Sequence, residues 1–483
     1  MDQRAGAQIG QRAFLQSLLI LLALMVLAGL LTLLVPAGQY ARLEIDGREV
    51  IDPTSFQSIP RPDYAVWRWF MAPLEVLAGP DGVTIIVIIV FLLMVGVAFA
   101  LLDRSGLLRA ALARLVRAFG PRKYALLLTI SFVFMALGAF FGIFEEIVPL
   151  VPVMIALAYA LGWDSLVGLG MSILATNLGF SAAVSNPFTL GVAQKLAGLP
   201  TFSGVELRVV IFLIMFMVFA IFLTGYARRI ERKPEASPVH TEDRDARLRY
   251  ANLDLGPTAG SEQRVGRALA VLAAVMGLIA LVTIAGPFVP AVSAVSLPLI
   301  GLLFLLGCLG AALVAGATGA ATWAASVEGL GGIAPAIPLI LMAASIKHIV
   351  AQGGILDTVL HNASIAFAGA NPFVAALLIY GLALFIESFI GSGSAKAFLM
   401  MPILLPLADL VGVTRQTAVL AYCFGDGFSN LVYPTNPVLL IALGLTVVSY
   451  PKWLRWTLGL WAWVLVITIV FLGLAVAISY GPF

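Results

Sequence analysis

The chain has 483 residues, of which 61% are hydrophobic and 11% charged, with a mean hydropathy of +1.04 and a formal net charge of +3. Apolar runs this long and numerous exclude a soluble core and indicate an all-α polytopic membrane protein. The slight positive balance is no argument for a nucleic-acid partner, because the basic residues gather in loops, where they orient a membrane chain.

The first apolar run, Phe14 to Pro36, follows Arg4 and Arg12. It reads as a retained span rather than a signal peptide, since no small-residue cleavage site stands clearly after it. A polar stretch of mixed sign, Ala41 to Asp81, reads as an external loop, and the charge-free run Val83 to Leu102 as the second span. From Leu107 to Phe119, arginines fall on one helix face and Leu, Val and Phe on the other. That pattern suits a helix lying in the interface, with an ordinary loop helix as the alternative. Arg104, Arg109, Arg114, Arg117, Arg122 and Lys123 crowd this loop, and Arg228, Arg229, Arg232, Lys233, Arg244, Arg247 and Arg249 crowd a later one. The positive-inside rule places both loops, and the N-terminus, in the cytoplasm.

Residues 124–161 form two apolar arms divided by Gly138, Gly142, Glu145 and Glu146. Two complete spans would fit, but a polar turn at mid-membrane favours a re-entrant hairpin, because irregular backbone at that depth must be buried in protein or line a cavity. Residues 165–197 read as a helix interrupted by Thr176-Asn177, Ser181 and Ser185-Asn186-Pro187. Pro187 removes a backbone donor and disfavours helical geometry at Asn186, so the helix is expected to unwind there. A span ending near Ala227 closes the first half (1–227), and a charged linker (228–264) with Pro234, Pro238 and Pro257 leads to the second (265–483). In that half, spans are expected near 265–287, 295–316 and 331–351, then a surface helix over 355–368. A second hairpin, 372–411, turns at Gly391-Ser392-Gly393-Ser394-Ala395-Lys396. A second interrupted helix, 415–446, breaks at Tyr433-Pro434-Thr435-Asn436-Pro437, and a last span near 456–479 follows Lys452 and Arg455.

Residues 141–191 and 391–441 match without a gap at an offset of 250: Pro152 with Pro402, Ala158 with Ala408, Gly162 with Gly412, Asn186 with Asn436, Pro187 with Pro437 and Leu190 with Leu440, while Ser185 meets Thr435. The agreement falls largely on helix-breaking and polar residues. Paired interrupted segments in two halves point to the binding site of an inverted-repeat secondary transporter.

Ionisable side chains at such breaks are expensive in the membrane and are functional candidates by default. Glu145, Glu146, Lys396 and Asp426 qualify, and Glu146 and Lys396 hold matching positions in the two turns, where an ion pair between them is expected. One arrangement has Glu145 or Glu146 and Asp426 holding a substrate ammonium, with the amides of Ser392, Gly393 and Ser394 and half-helix N-termini holding its carboxylate. Alternatively Lys396 is the counter-ion of a dicarboxylate. Ser185, Asn186, Pro187, Thr435, Asn436 and Pro437 complete the substrate candidates. For a coupling ion, carbonyls and side chains of Gly142, Asn177, Ser185, Asn186, Gly391, Thr435 and Asn436 make an oxygen set suited to Na⁺; a proton on Glu146 or Asp426, or plain exchange, fits as well. Lys347 and His348 read as snorkelling or packing residues. Cys308 and Cys423 lie in apolar context and suggest no disulfide.

The presence of just three histidines, the missing His-Glu-x-x-His and the missing Gly-x-Ser-x-Gly elbow argue against an enzyme. A passive channel stays open as the alternative, distinguished by its lack of saturable counterflow.

The Gly142 to Glu146 turn paired with Gly391 to Ser394 resembles the YfcC-type C4-dicarboxylate anaerobic carrier family. Phe424-Gly425-Asp426-Gly427-Phe428-Ser429, Ser185-Asn186-Pro187-Phe188, Asp409-Leu410-Val411-Gly412-Val413 and the Asp52-Pro53 loop carry the same resemblance over nearly the whole chain. It implies the ion transporter superfamily, a homodimer in lipid, and a scaffold beside an elevator-type transport part that moves a basic amino acid or a C4-dicarboxylate without any cofactor. The family leads one to expect an uncharged residue, usually Gln, where this chain has Lys396, and that departure bears on substrate charge and coupling ion.

Overall fold

A computed structural model describes residues 11–45, 48–119, 122–251, 262–285, 289, 292, 295–367 and 369–481. Arg4, Pro257 and linker residues 252–261 lie outside them. Among the described residues, ten helices are long and apolar enough to cross a membrane. Helix is the expected form there, since in hydrocarbon each backbone N–H and C=O must be satisfied within its own segment.

The first half runs through α1 (Gln11–Leu34), α2 (Arg68–Ala78), α3 (Gly82–Arg104), α4 (Leu107–Phe119), α5 (Lys123–Ala136), α6 (Val151–Ala160), α7 (Ser165–Leu169), α8 (Ala175–Ala182), α9 (Val192–Leu196) and α10 (Val205–Arg232). After α11 (His240–Ala251), the second half comprises α12 (Glu262–Ala285), α13 (Ser296–Val314), α14 (Gly319–Ile333), α15 (Ala336–Gln352), α16 (Leu356–Ala366), α17 (Pro372–Glu387), α18 (Gly393–Leu410), α19 (Arg415–Phe428), α20 (Pro437–Gly444) and α21 (Tyr450–Ala477). Helix α3 packs against α13 and α14, and α1 against α15, while α8, α10, α17, α19 and α21 pack among themselves.

Three regions differ from the sequence reading. Where one span was expected at 331–351, two consecutive helices occupy 319–333 and 336–352. The first was hidden because its Gly, Ala and Thr composition is weakly apolar. The 41–81 stretch holds β2 (Arg42–Ile45) paired with β3 (Arg48–Ile51), β4 (Gln57–Ser58) paired with β1 (Gly38–Gln39) just before the stretch, and then α2. Asp357, on α16, anchors this part by accepting from the Tyr40 N–H and the Arg42 guanidinium at 2.9 Å each.

The linker is not simply solvated. Asp243 of α11 is fully buried, accepting from the Ser165 N–H at 2.7 Å, the Ser165 hydroxyl and the Tyr159 hydroxyl. Burial pushes its carboxyl up to about 6 despite these donors. Asp164 beside it caps α7 by accepting from the Val167 N–H, and also accepts from Tyr226 and Ser237.

Lys347 and His348 have carboxylate partners: Lys347 Nζ lies 2.6 Å from Asp81, and His348 Nε2 lies 3.3 Å from Glu75. Cys308 and Cys423 are free thiols, both buried.

Candidate functional site

The two interrupted helices resume at residues that the offset of 250 aligns. In the first half, the arm 123–141 ends at Gly142, whose φ of +68° suits glycine, and the chain resumes through Glu145–Leu150 into α6. Helix α8 ends at Ala183 in the left-handed region, and the next arm begins at Pro187. Asn186 caps that arm: its Oδ1 accepts from the Phe188 and Thr189 N–H groups, and its Nδ2 donates to the Phe180 carbonyl at 3.4 Å. Asn436 does the same for α20, its Oδ1 accepting from Val438 and Leu439 and its Nδ2 donating to Asn430 Oδ1 at 3.0 Å. Asp164 and Thr414, also 250 apart, cap the two helices at their starts.

Backbone packs on backbone throughout this region. A Cβ on Gly179 would lie 1.8 Å from the Met135 carbonyl oxygen, and one on Gly138 would lie 2.2 Å from that of Thr176. A Cβ on Gly427 would lie 2.5 Å from Ser181 Cα, so α8 and α19 touch near their C-terminal ends. Small residues are what allow helices in a membrane to approach this closely. The halves also meet crosswise, since α18 packs on the arm of α9 and α20 packs on the 145–150 turn.

The expected site residues separate into groups. Gly142 sits against Asn186, its Cβ position 2.3 Å from Asn186 Oδ1, and Gly391 faces Asn436 Nδ2 at 3.9 Å from its own Cβ position. Ser185 is tied to the first hairpin, its N–H donating to Ala139 and its hydroxyl to the Phe140 carbonyl, both at 3.0 Å. Ser392 is exposed and caps α18. Gly393 brings three elements together, its Cβ position lying 2.4 Å from Thr189 Cγ2 and 2.8 Å from Asp426 Oδ2. Ser394, Thr435, Pro187 and Pro437 are half-buried at the breaks. Asn177 is fully buried on α8, and neither atom of its amide has a hydrogen-bond partner.

The charges are arranged otherwise than the sequence suggested. Lys396 is fully buried and pairs with Glu387 of its own hairpin and with Asp426, whose Oδ1 is 2.8 Å away. It does not pair with Glu146, whose Oε2 accepts from the Phe144 N–H at 3.1 Å. Nor do Glu145 and Glu146 join Asp426 in a cage. Glu145 is exposed in a cleft lined by Ile88, Phe91, Val148, Leu297, Pro437 and Val438, where the turn and α20 face α3 and α13.

Two buried groups were missed as candidates. Glu387 ends an apolar arm nine residues before Lys396, a spacing that crosses a turn and gives no helix-face signal. Arg208, four residues into a span, looks like a snorkelling terminus in sequence yet is fully buried. Among the described residues, no group of three or more His, Cys, Asp and Glu side chains is placed to hold a metal ion.

The model of the C4-dicarboxylate anaerobic carrier family matches residues 14–477. The chain belongs to that family. A protein of Escherichia coli K12 named "Putative basic amino acid antiporter YfcC" is 32% identical over 469 residues, covering 91% of this chain and 92% of its own. An uncharacterized protein of Haemophilus influenzae is 24% identical over 372 residues, covering 77% of this chain and 72% of its own. The crystal structure of the Alcanivorax borkumensis YdaH transporter aligns over 97% of this chain and 98% of that one, at 18% identity and a TM-score of 0.41. Membership of a carrier family and ten apolar helices make the chain a multi-pass membrane transporter.

Proposed function

We propose that this transporter moves a cationic amino acid, by exchange or ion-coupled uptake, through an elevator-like displacement. The observation that carries the substrate class is the Glu387–Lys396–Asp426 triad, two carboxylates around one ammonium in a dry interior. Buried charge is tolerated when it is balanced, and the surplus carboxylate here is a place for a substrate ammonium or a proton. A dicarboxylate, the cargo in the family's description, would need Lys396 as its counter-ion. Lys396 is already held by two acids of the protein, which favours the amino acid.

In this reading residues 1–227 and 265–483 are inverted halves joined by the linker, in a homodimer of the bacterial inner membrane with a cytoplasmic N-terminus. The re-entrant hairpins and the interrupted helices α7–α9 and α19–α20 form the moving part, against a scaffold that includes α3 and α13. The Glu145 cleft lies between these parts. The paired contacts Gly142–Asn186 and Gly391–Asn436, with Ser185, Thr435 and the unsatisfied Asn177, are the sites offered to Na⁺ if Na⁺ is the coupling ion.

The test is counterflow in proteoliposomes loaded with arginine, lysine, ornithine, succinate or fumarate. Saturable counterflow of the cationic amino acids supports the reading. Counterflow of succinate alone replaces it with the dicarboxylate carrier, and conductance without counterflow replaces it with a channel.

A further inference from the structure

Among the described residues, Arg208 is a cation without a counter-ion. Its residue is fully buried, one guanidinium nitrogen donates to the Ala183 carbonyl at 3.4 Å, and Nε and the other terminal nitrogen have no hydrogen-bond partner. Among the described residues no carboxylate forms an ion pair with it; its neighbours are the Cys423 thiol and the Tyr480 hydroxyl. Hydrogen bonds to neutral groups such as these offset only part of the cost of an uncompensated buried charge. The position is equally specific. Ala183 is the left-handed residue that ends α8 at the first break, and Cys423 lies one helical turn before Asp426. Tyr480 donates to the Gly204 carbonyl, and Gln416 donates to the Ser203 carbonyl.

We infer that Arg208 binds the carboxylate of the transported molecule at the first break. A carboxylate brings the missing negative charge and two acceptors in the plane that the guanidinium fork requires. This rests on the cationic amino acid reading and deepens it: the triad takes the ammonium and Arg208 takes the α-carboxylate. Such a site rejects an amine that lacks the carboxylate, since binding it would leave the arginine buried and unpaired.

The experiment compares arginine with agmatine, its decarboxylated amine, as ligands of the purified full-length protein by calorimetry, in wild type and in Arg208→Met. Wild type is expected to prefer arginine by at least about tenfold, and R208M to bind the two within about threefold of each other, because the charge-assisted contact is gone. Undiminished preference in R208M overturns the inference. If R208M does not fold, Arg208→Lys keeps the charge without the fork and is expected to lose most of the preference; full retention there also overturns it. Wild-type protein that binds neither amine but binds succinate would sink the amino acid reading. In that case succinate binding lost in R208M supports the carboxylate anchor, and succinate binding retained overturns it.

Discussion

Asn186 and Asn436, 250 residues apart, perform the same two tasks: each amide oxygen accepts from the two backbone N–H groups that open the helix after its break, and each amide nitrogen reaches back six residues. The following proline, Pro187 or Pro437, sits at the first helical position, where its missing N–H leaves no donor unsatisfied. The breaks are therefore capped structures with defined geometry.

Asn186→Ala and Asn436→Ala should each lower stability by about 1–2 kcal/mol, the upper range for a cap. Counterflow should fall at least about tenfold in each, because an uncapped arm no longer holds the break in a fixed geometry. Thermal melts together with counterflow check this. Near-normal transport in both variants would remove the breaks from the site.

Asp426→Asn leaves Lys396 paired one-to-one with Glu387, so the protein should fold with little loss of stability while transport of a cationic substrate collapses. Lys396→Met strands two carboxylates in the interior and should destabilise by about 3–5 kcal/mol, as when one partner of a buried ion pair is removed. A melt of both variants separates them. Equal stability would mean that the triad's charges are not coupled.

Gly427→Ala places a methyl 2.5 Å from Ser181 Cα, a backbone atom that cannot rotate away. Overpacking there should cost about 1–3 kcal/mol and reduce transport. Gly310→Ala, on α13 with nothing within 4 Å of its Cβ position, should leave both unchanged. The paired measurement tests whether α8 and α19 meet as tightly as described.

Asp243 has its carboxyl raised to about 6 by burial. A raised acid binds its proton more readily folded than unfolded, so the folded state gains stability as pH falls from 7 towards 4 and loses it as pH rises through 6. Wild-type melting temperature, followed over that window, should carry a component that Asp243→Asn abolishes. An identical pH profile in the variant would exclude Asp243 as its source.

The apolar runs, the surface helices and both breaks were legible in the chain, because hydrophobic length and the placement of proline, glycine and asparagine are local properties. The places of Asn186 and Asn436 at the breaks were legible for the same reason, from the repeat at an offset of 250, but both were read as ligands and their capping bonds appeared only in the fold. Helix 319–333 was not, since Gly, Ala and Thr bury against α3 through close approach and give little hydropathy signal. The partners of the charges were decided only by the tertiary structure. Lys396 pairs with Glu387 and Asp426 rather than Glu146, Asp243 leaves a charged linker to dock on Ser165, and Arg208 is enclosed near the end of a span. Each depends on which side chains meet across the fold and on whether water reaches them. Composition along the chain carries neither, because Coulomb energy and desolvation are set by distance and burial.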